Sequence, residues 1–480
     1  MNTAMQKVSD AVIKLKYNNE LIFWKEEFTS SKGKVVTISA PELRSYIKKE
    51  NFRVIDGEPV RLKGSIATRV TPDEIFKHCL KYVETFEDPV IESAFIRQGE
   101  TLLLKNKGII ISLQECEIPH LMDTKTKSYH FYKNGILKVE EASDFKLISY
   151  ENAKGFIWKE EIKDRDFHIL NDQDIEKAMF SKFLKNITND EDHFISLCSA
   201  IGYLIHGYKD ERKPICIIIN DENLVDEGKP EGGTGKGLIV KAISQIIEKA
   251  MYNGKNSDFT NNKFAFQNVR VTTGVIVIDD APRNFDLEAL FSVLTDDMPI
   301  ERKHKEVKVI PYEKSPKFVI TTNYSIKGTS SSYKRRRFDT FLTNHYSDVR
   351  TPSDEFGCEF FHGWDAEEWK LFDFFMMGCL RKYLTEGLIT FENEALRLKM
   401  LKNETSSDFF ELMEERFNLK NILYSYNAVR QTLISEYGEK YYFLEKNKRK
   451  IVEWVEMYAG EKGHGIKKSR GGAGTNFTFQ

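Results

Sequence analysis

Glu231-Gly232-Gly233-Thr234-Gly235-Lys236-Gly237 is a run whose residue types and order suit the binding of an anion. Glycines let successive backbone N–H groups turn toward one centre, and a lysine at the end of the turn adds a mobile positive charge. An apolar run, Ile215 to Ile219, precedes the loop, and an amphipathic run, Leu238 to Lys249, follows it. The sequence therefore predicts strand, loop and helix, the order that cradles the phosphates of a nucleoside triphosphate. Gly232, Gly233, Thr234, Gly235, Lys236 and Gly237 form the cradle in this reading. Pro230 stands where a first glycine is usual, and Gly237 stands where a Ser or Thr hydroxyl usually holds Mg²⁺. Taken alone, the loop also reads as a flexible turn.

Three further segments supply chemistry of the same kind. Val275-Ile276-Val277-Ile278 is a buried-strand pattern that ends in Asp279-Asp280. Carboxylates at such a strand end suit a Mg²⁺ shell (Asp279, with waters) and an attacking water (Asp280). Lys317 to Thr322 forms another apolar strand and delivers Asn323, an amide able to meet a γ-phosphate or a water. Lys334-Arg335-Arg336-Arg337 then offers guanidinium groups, whose planar charge suits a transferring phosphoryl group. Each segment has a plain alternative: two acids opening a solvent loop, a turn asparagine, a solvated basic run. Their order and spacing argue for one site. Between the carboxylates and Asn323, residues 301–308 read as a strand pair with Arg302, Lys303, His304, Lys305 and Lys308 near one end. Those cations suit a phosphate backbone, or equally an edge strand guarded by lysines.

These residues require a framework of buried parallel strands. Ile215–Ile219, Val275–Ile278 and Phe318–Ile320 are nearly continuous apolar runs, as expected of central strands covered on both faces. The length of 480 residues allows about three domains. The net charge of −2 excludes a general polycation, so any nucleic-acid contact rests on local patches. No apolar run reaches membrane-spanning length, and Phe194 to Ile205 reads as a buried helix. Six cysteines without C-x-x-C spacing predict reduced thiols and no zinc site. Upstream, Thr71, Pro72 and Glu74 mark a capped helix start, while Thr101 to Leu104 and Gly108 to Leu113 look strand-like. Residues 365–383 form an aromatic-rich packing helix. At the end, helices over Tyr426–Tyr437 and Lys448–Tyr458 precede a glycine-rich hairpin carrying Lys467, Lys468 and Arg470. That succession predicts a winged helix whose basic residues meet DNA.

With these motifs in view, the chain resembles superfamily 3 helicases of the phage and plasmid primase–helicase type. Gly232 to Lys236 is similar to the family's motif A, Asp279-Asp280 to motif B, and Lys317 to Asn323 to motif C. Residues 302–308 stand where the family has its B′ motif, and Arg336 or Arg337 where it has its arginine finger. The resemblance implies an α/β fold with an AAA+ P-loop core, a mixed α+β domain before it and a winged helix after it. The expected divisions are an accessory domain over 1–160, a helical collar over 161–212, the core over 213–345, further helices over 346–420 and a winged helix over 421–480. It implies ATP and Mg²⁺ at subunit interfaces of a ring, usually a hexamer, moving on single-stranded or forked DNA in the bacterial host cytoplasm. It also implies replication of a phage or mobile element, and it leaves open whether a separate primase or polymerase is a partner, since residues 1–160 show no primase site. The missing hydroxyl at Gly237 keeps a rival open, a DNA-binding assembly factor with a structural or slowly hydrolysed nucleotide. A protein-remodelling ATPase is the third reading.

Overall fold

The computed structural model describes every residue except 1–20, 31–32, 107, 142, 223–232, 256–257, 260–261, 304–305, 325, 327–330, 393 and 472–473. The chain divides into two compact units, one of residues 1–121, 129–137 and 147–166, the other of 122–128, 138–146 and 167–480.

In the first unit, a hairpin of β1 (Trp24–Thr29) and β2 (Gly33–Ile38) leads to helix α1 (Ala40–Lys49). Strands β3 (Phe52–Ile55), β4 (Glu58–Lys63), β5 (Ile66–Arg69) and β6 (Ile157–Trp158) form a sheet in that order. Helices α2 (Pro72–Glu84) and α3 (Pro89–Gly99) follow β5. The expected capping box is present. Thr71 Oγ1 accepts from the Glu74 N–H at 3.2 Å, and Glu74 accepts from the Thr71 N–H at 2.7 Å. Residues 100–105 and 108–111 are helical, against the strands expected there. Short apolar runs do not separate strand from helix by pattern. Here Leu103, Ile109 and Ile110 bury themselves in an aromatic core around Phe23, Tyr46 and Phe95, as the continuation of α3.

The second unit is built on a five-stranded sheet. Its strands are β7 (Cys216–Asp221), β8 (Glu248–Asn253), β9 (Thr273–Ala281), β12 (Lys317–Thr322) and β13 (Arg337–Leu342). A short antiparallel pair, β10 (Met298–Ile300) and β11 (Lys308–Ile310), stands apart from it. The sheet order is β8-β9-β12-β7-β13 and every pairing is parallel. Ile217, Ile218, Ile276, Ile278, Phe318 and Ile320 are fully buried, as two covered faces require. Helices α4 (Met179–Asn186), α5 (Glu191–Ile205) and α6 (Lys236–Ser244) belong to this unit. Helix α6 ends short of the expected Lys249, because residues 248–253 pair with β9 as the sheet's edge strand.

Helix α7 (Ala366–Glu386) packs along α5, and the two backbones nearly touch. A side chain at Gly202 would collide with the Cys379 carbonyl. At the foot of α5, the fully buried Lys317 ammonium donates to the carbonyls of Tyr203 and His206, both at 2.6 Å. This cation closes the carbonyl end of the helix, where partial negative charge accumulates. After α7 come α8 (Ser407–Arg416), β14 (Leu423–Ser425), α9 (Tyr426–Tyr437), α10 (Lys448–Glu461), β15 (Ile466–Gly471) and β16 (Gly474–Phe479). The last three strands pair antiparallel in the order β14-β16-β15, over a core that includes Trp454, Tyr458, Phe477 and Phe479.

Candidate active site

Parallel strands end at one edge, so residues at their carboxyl ends meet there. Strands β7, β12 and β9 are neighbours, and their last residues bring Asp221, Asn323 and the Asp279-Asp280 pair together. The glycine loop returns to the same edge and starts α6. Gly233 and Gly235 have φ of 95° and 109°, a backbone region that favours glycine. Gly235 also has no room for a side chain, because a Cβ would lie 2.6 Å from the Phe183 ring of α4.

Lys236 is the centre of the site. Its ammonium donates to Asn323 Oδ1 at 2.7 Å, to Thr234 Oγ1 at 3.3 Å and to Asp221 Oδ2. Thr234 donates from Oγ1 to the other Asp221 oxygen at 2.6 Å. Asp221 is buried and answers two groups of the loop with one carboxylate. Burial pulls the Lys236 pKa below its ordinary value, opposed by the negative charge of Asp221 and then of Asp280 and Asp279.

Hydroxyls of β12 hold the Asp279 carboxylate and the backbone of Asp280. Thr321 Oγ1 donates to Asp279 Oδ1 at 2.6 Å and accepts from the Asp280 N–H at 3.0 Å. Thr322 donates to the Ala281 carbonyl at 2.7 Å. The β9–β12 register breaks between Ile278 and Ala281, and Asp280 takes a φ of 54°. A non-glycine residue in that region is held by its surroundings, here by Thr321 and by an ion pair to Lys255.

The remaining expected residues fall into distinct places. Gly237 has open space around its α-carbon. Arg337 points into the unit, bonded bidentately to Asp339 (2.7 Å for each contact) and donating to the Ile326 carbonyl at 2.8 Å. Arg336 is half-buried, with its guanidinium 4.7 Å from the Phe291 ring centroid and one hydrogen bond to the Ser332 carbonyl. Arg302 is tied to the carbonyls of Gln267 and Val269, at 3.0 and 2.9 Å. Lys303 and Lys308 are exposed beside Val307 and Val309 of the β10–β11 hairpin. Lys467, Lys468 and Arg470 are exposed on β15, with Lys468 paired to Glu456 of α10. Gly232, His304 and Lys305 lie outside the described residues.

Three participants were not foreseen from the sequence: Asp221, Thr321 and Lys255. The signal for Asp221 was its place, an acid that follows four apolar strand residues and Asn220 at the end of the strand ahead of the loop. Thr321 carried a comparable one, a hydroxyl two residues ahead of Asn323. Among the described residues, no group of three or more His, Cys, Asp and Glu side chains could hold a metal ion on its own. No helix among them is long and apolar enough to cross a membrane.

Residues 229–337, which contain Lys236, both aspartates, Asn323 and the two arginines, match a family described as a family of unknown function (DUF5906). No curated protein matches the chain. Among solved structures, the chain is similar to one described as the A form apo structure of the NrS-1 C terminal region. The identity is 10% and the TM-score 0.41, over 91% of this chain and 98% of that one. A second structure of that region, described as residues 305–718, matches at 11% identity and a TM-score of 0.29, over 74% of this chain and 96% of that one.

Proposed function

We infer that the chain is an ATP-hydrolysing DNA helicase of the superfamily 3, AAA+ type, serving the replication of a phage or mobile element. The observation that carries this reading is the 2.7 Å hydrogen bond from Lys236 to Asn323, with Asp279-Asp280 delivered by the next strand of the sheet. The all-parallel order, with β12 between β7 and β9, supports the core assignment. The succession of helices α8, α9 and α10 with the three strands β14, β15 and β16 over 407–479 supports a winged helix.

Each residue has a role in this reading. Lys236 leaves Asp221 and neutralises charge on the β- and γ-phosphates, assisted by the N-terminus of α6. The Asn323 amide donates to the γ-phosphate. Asp280 orients the attacking water. Asp279 offers the hard oxygen ligands that Mg²⁺ takes, completed by waters because Gly237 has no hydroxyl, and the ion supplies positive charge to the phosphates. Of the two arginines, Arg336 is the better finger toward a neighbouring subunit, since the Arg337 guanidinium is bound to its own Asp339. Lys303 with the hairpin, and Lys467 and Arg470 with the wing, contact DNA, and the protein acts as a ring.

Steady-state ATP hydrolysis with and without single-stranded DNA tests the reading. Turnover stimulated by DNA, and abolished in a folded Lys236→Ala variant, is the expected result. Unchanged hydrolysis in that variant removes the site assignment. Gly237 favours a second reading, an assembly factor that retains nucleotide without turnover. Stoichiometric ATP binding with no DNA-stimulated hydrolysis selects it.

A further inference from the structure

A second cavity lies in the same unit as the Lys236 site, made of residues that site does not use. It has a volume of about 440 Å³ and opens between α5, α7 and residues 143–144 and 175. That volume falls in the range of about 300–1,000 Å³ typical of small-molecule sites. Ile175, Phe194, Ile195 and Phe375 make an apolar lining, and Cys198 and Cys379 belong to the same wall.

Gly378 separates this cavity from an ordinary packing defect. It stands inside the long helix α7, where glycine is destabilising relative to alanine. Gly202 on the facing helix is required by backbone contact, whereas a Cβ at Gly378 would meet only Ile175 Cδ1, at 3.5 Å. Neither its φ nor a close neighbour demands a glycine there. What its lack of a side chain preserves is the open volume.

A polar residue, Ser143, is part of the wall, with its hydroxyl turned away from the accessible space. The Ser143 hydroxyl oxygen is buried and has no hydrogen-bond partner among the described residues. Charges at the mouth cancel in number: Arg381 and Lys382 stand with Asp144 and Glu386. Lys382 pairs with Glu386 at 2.7 Å, and the Arg381 guanidinium stacks over Phe145 at 4.8 Å. The site therefore has no net charge to select an ion.

We propose that this cavity is a binding site for a small neutral molecule with an apolar, ring-sized body. It is a ligand site additional to the nucleotide and does not depend on the reading of Lys236.

The test uses N-phenyl-1-naphthylamine, a neutral two-part aromatic probe with one N–H. Fluorescence titration of the full chain is expected to show saturable binding of one probe per chain. Gly378→Leu and Ile195→Phe fill the space from opposite helices, and each is expected to weaken binding by more than about tenfold while thermal unfolding stays cooperative. If Gly378→Leu does not fold, Ile195→Phe decides alone. Absence of saturable binding to the wild type, or unchanged affinity in a folded filling variant, overturns the proposal.

Discussion

At the scale of single residues, the site is organised around one buried lysine and the acceptors that compete for it. Asp221 holds both Lys236 and Thr234, so the loop is braced before any ligand enters. Gly237 is the one position of the loop helix where a hydroxyl is expected and the surroundings leave room for it. Gly237→Thr is therefore expected to fold normally and to raise the rate constant of ATP hydrolysis severalfold, by adding an oxygen ligand beside Asp279. Steady-state kinetics at saturating Mg²⁺ checks this. An unaltered rate would mean that residue 237 does not face the metal. The lysine was legible in the sequence because it ends a glycine loop, and the paired aspartates and Asn323 because each follows a run of β-branched or aromatic residues. Asp221 was not, because its partners lie 13 and 15 residues further along and meet it only when the loop folds back.

At the scale of elements, α4 sets the wall behind the loop, and Glu368 of α7 fixes the start of α4. Its carboxylate accepts from the Met179 N–H at 2.7 Å, and burial pushes its pKa up to about 7. A raised carboxyl favours folding most while it keeps its proton. That contribution is complete below the unfolded value of about 4.5 and is lost as pH rises through about 7. Glu368→Gln keeps an acceptor for Met179 and never ionises. The variant is therefore expected to match the wild type near pH 5 and to exceed it by about 2 kcal/mol at pH 8. Urea unfolding midpoints at the two pH values check this, and a pH-independent difference would show that the proton is not involved. Sequence pattern located β7, β9 and β12 because central strands are apolar on both faces. It missed β8, an edge strand whose Glu248 and Lys249 continue the polar pattern of the preceding helix and whose Met251 is half-exposed. Pairing with β9 decided the matter, and that pairing is a tertiary fact.

At the scale of the whole molecule, the proposed affinity for DNA would have to sit in patches, because the net charge is only −2. On β15, Lys468 is already paired with Glu456, while Lys467 and Arg470 lie exposed on the same strand. Lys467→Gln and Arg470→Gln are each expected to weaken single-stranded DNA binding and to lower the salt slope by about one, with Lys468→Gln doing less. Fluorescence anisotropy across a salt series checks the ranking, and equal effects at all three positions would remove β15 from the proposed interface. One feature acts across the body of this unit. Strand β12 is pinned at both ends, by the Lys317 ammonium on the helix carbonyls at its start and, just beyond its last residue, by the Asn323 amide on Lys236. Sliding this strand by one position would turn its first side chain to the opposite face and strand a cation in hydrocarbon. Misaligned sheets are thus penalised during assembly, and a chain that completes this sheet has its asparagine already in place.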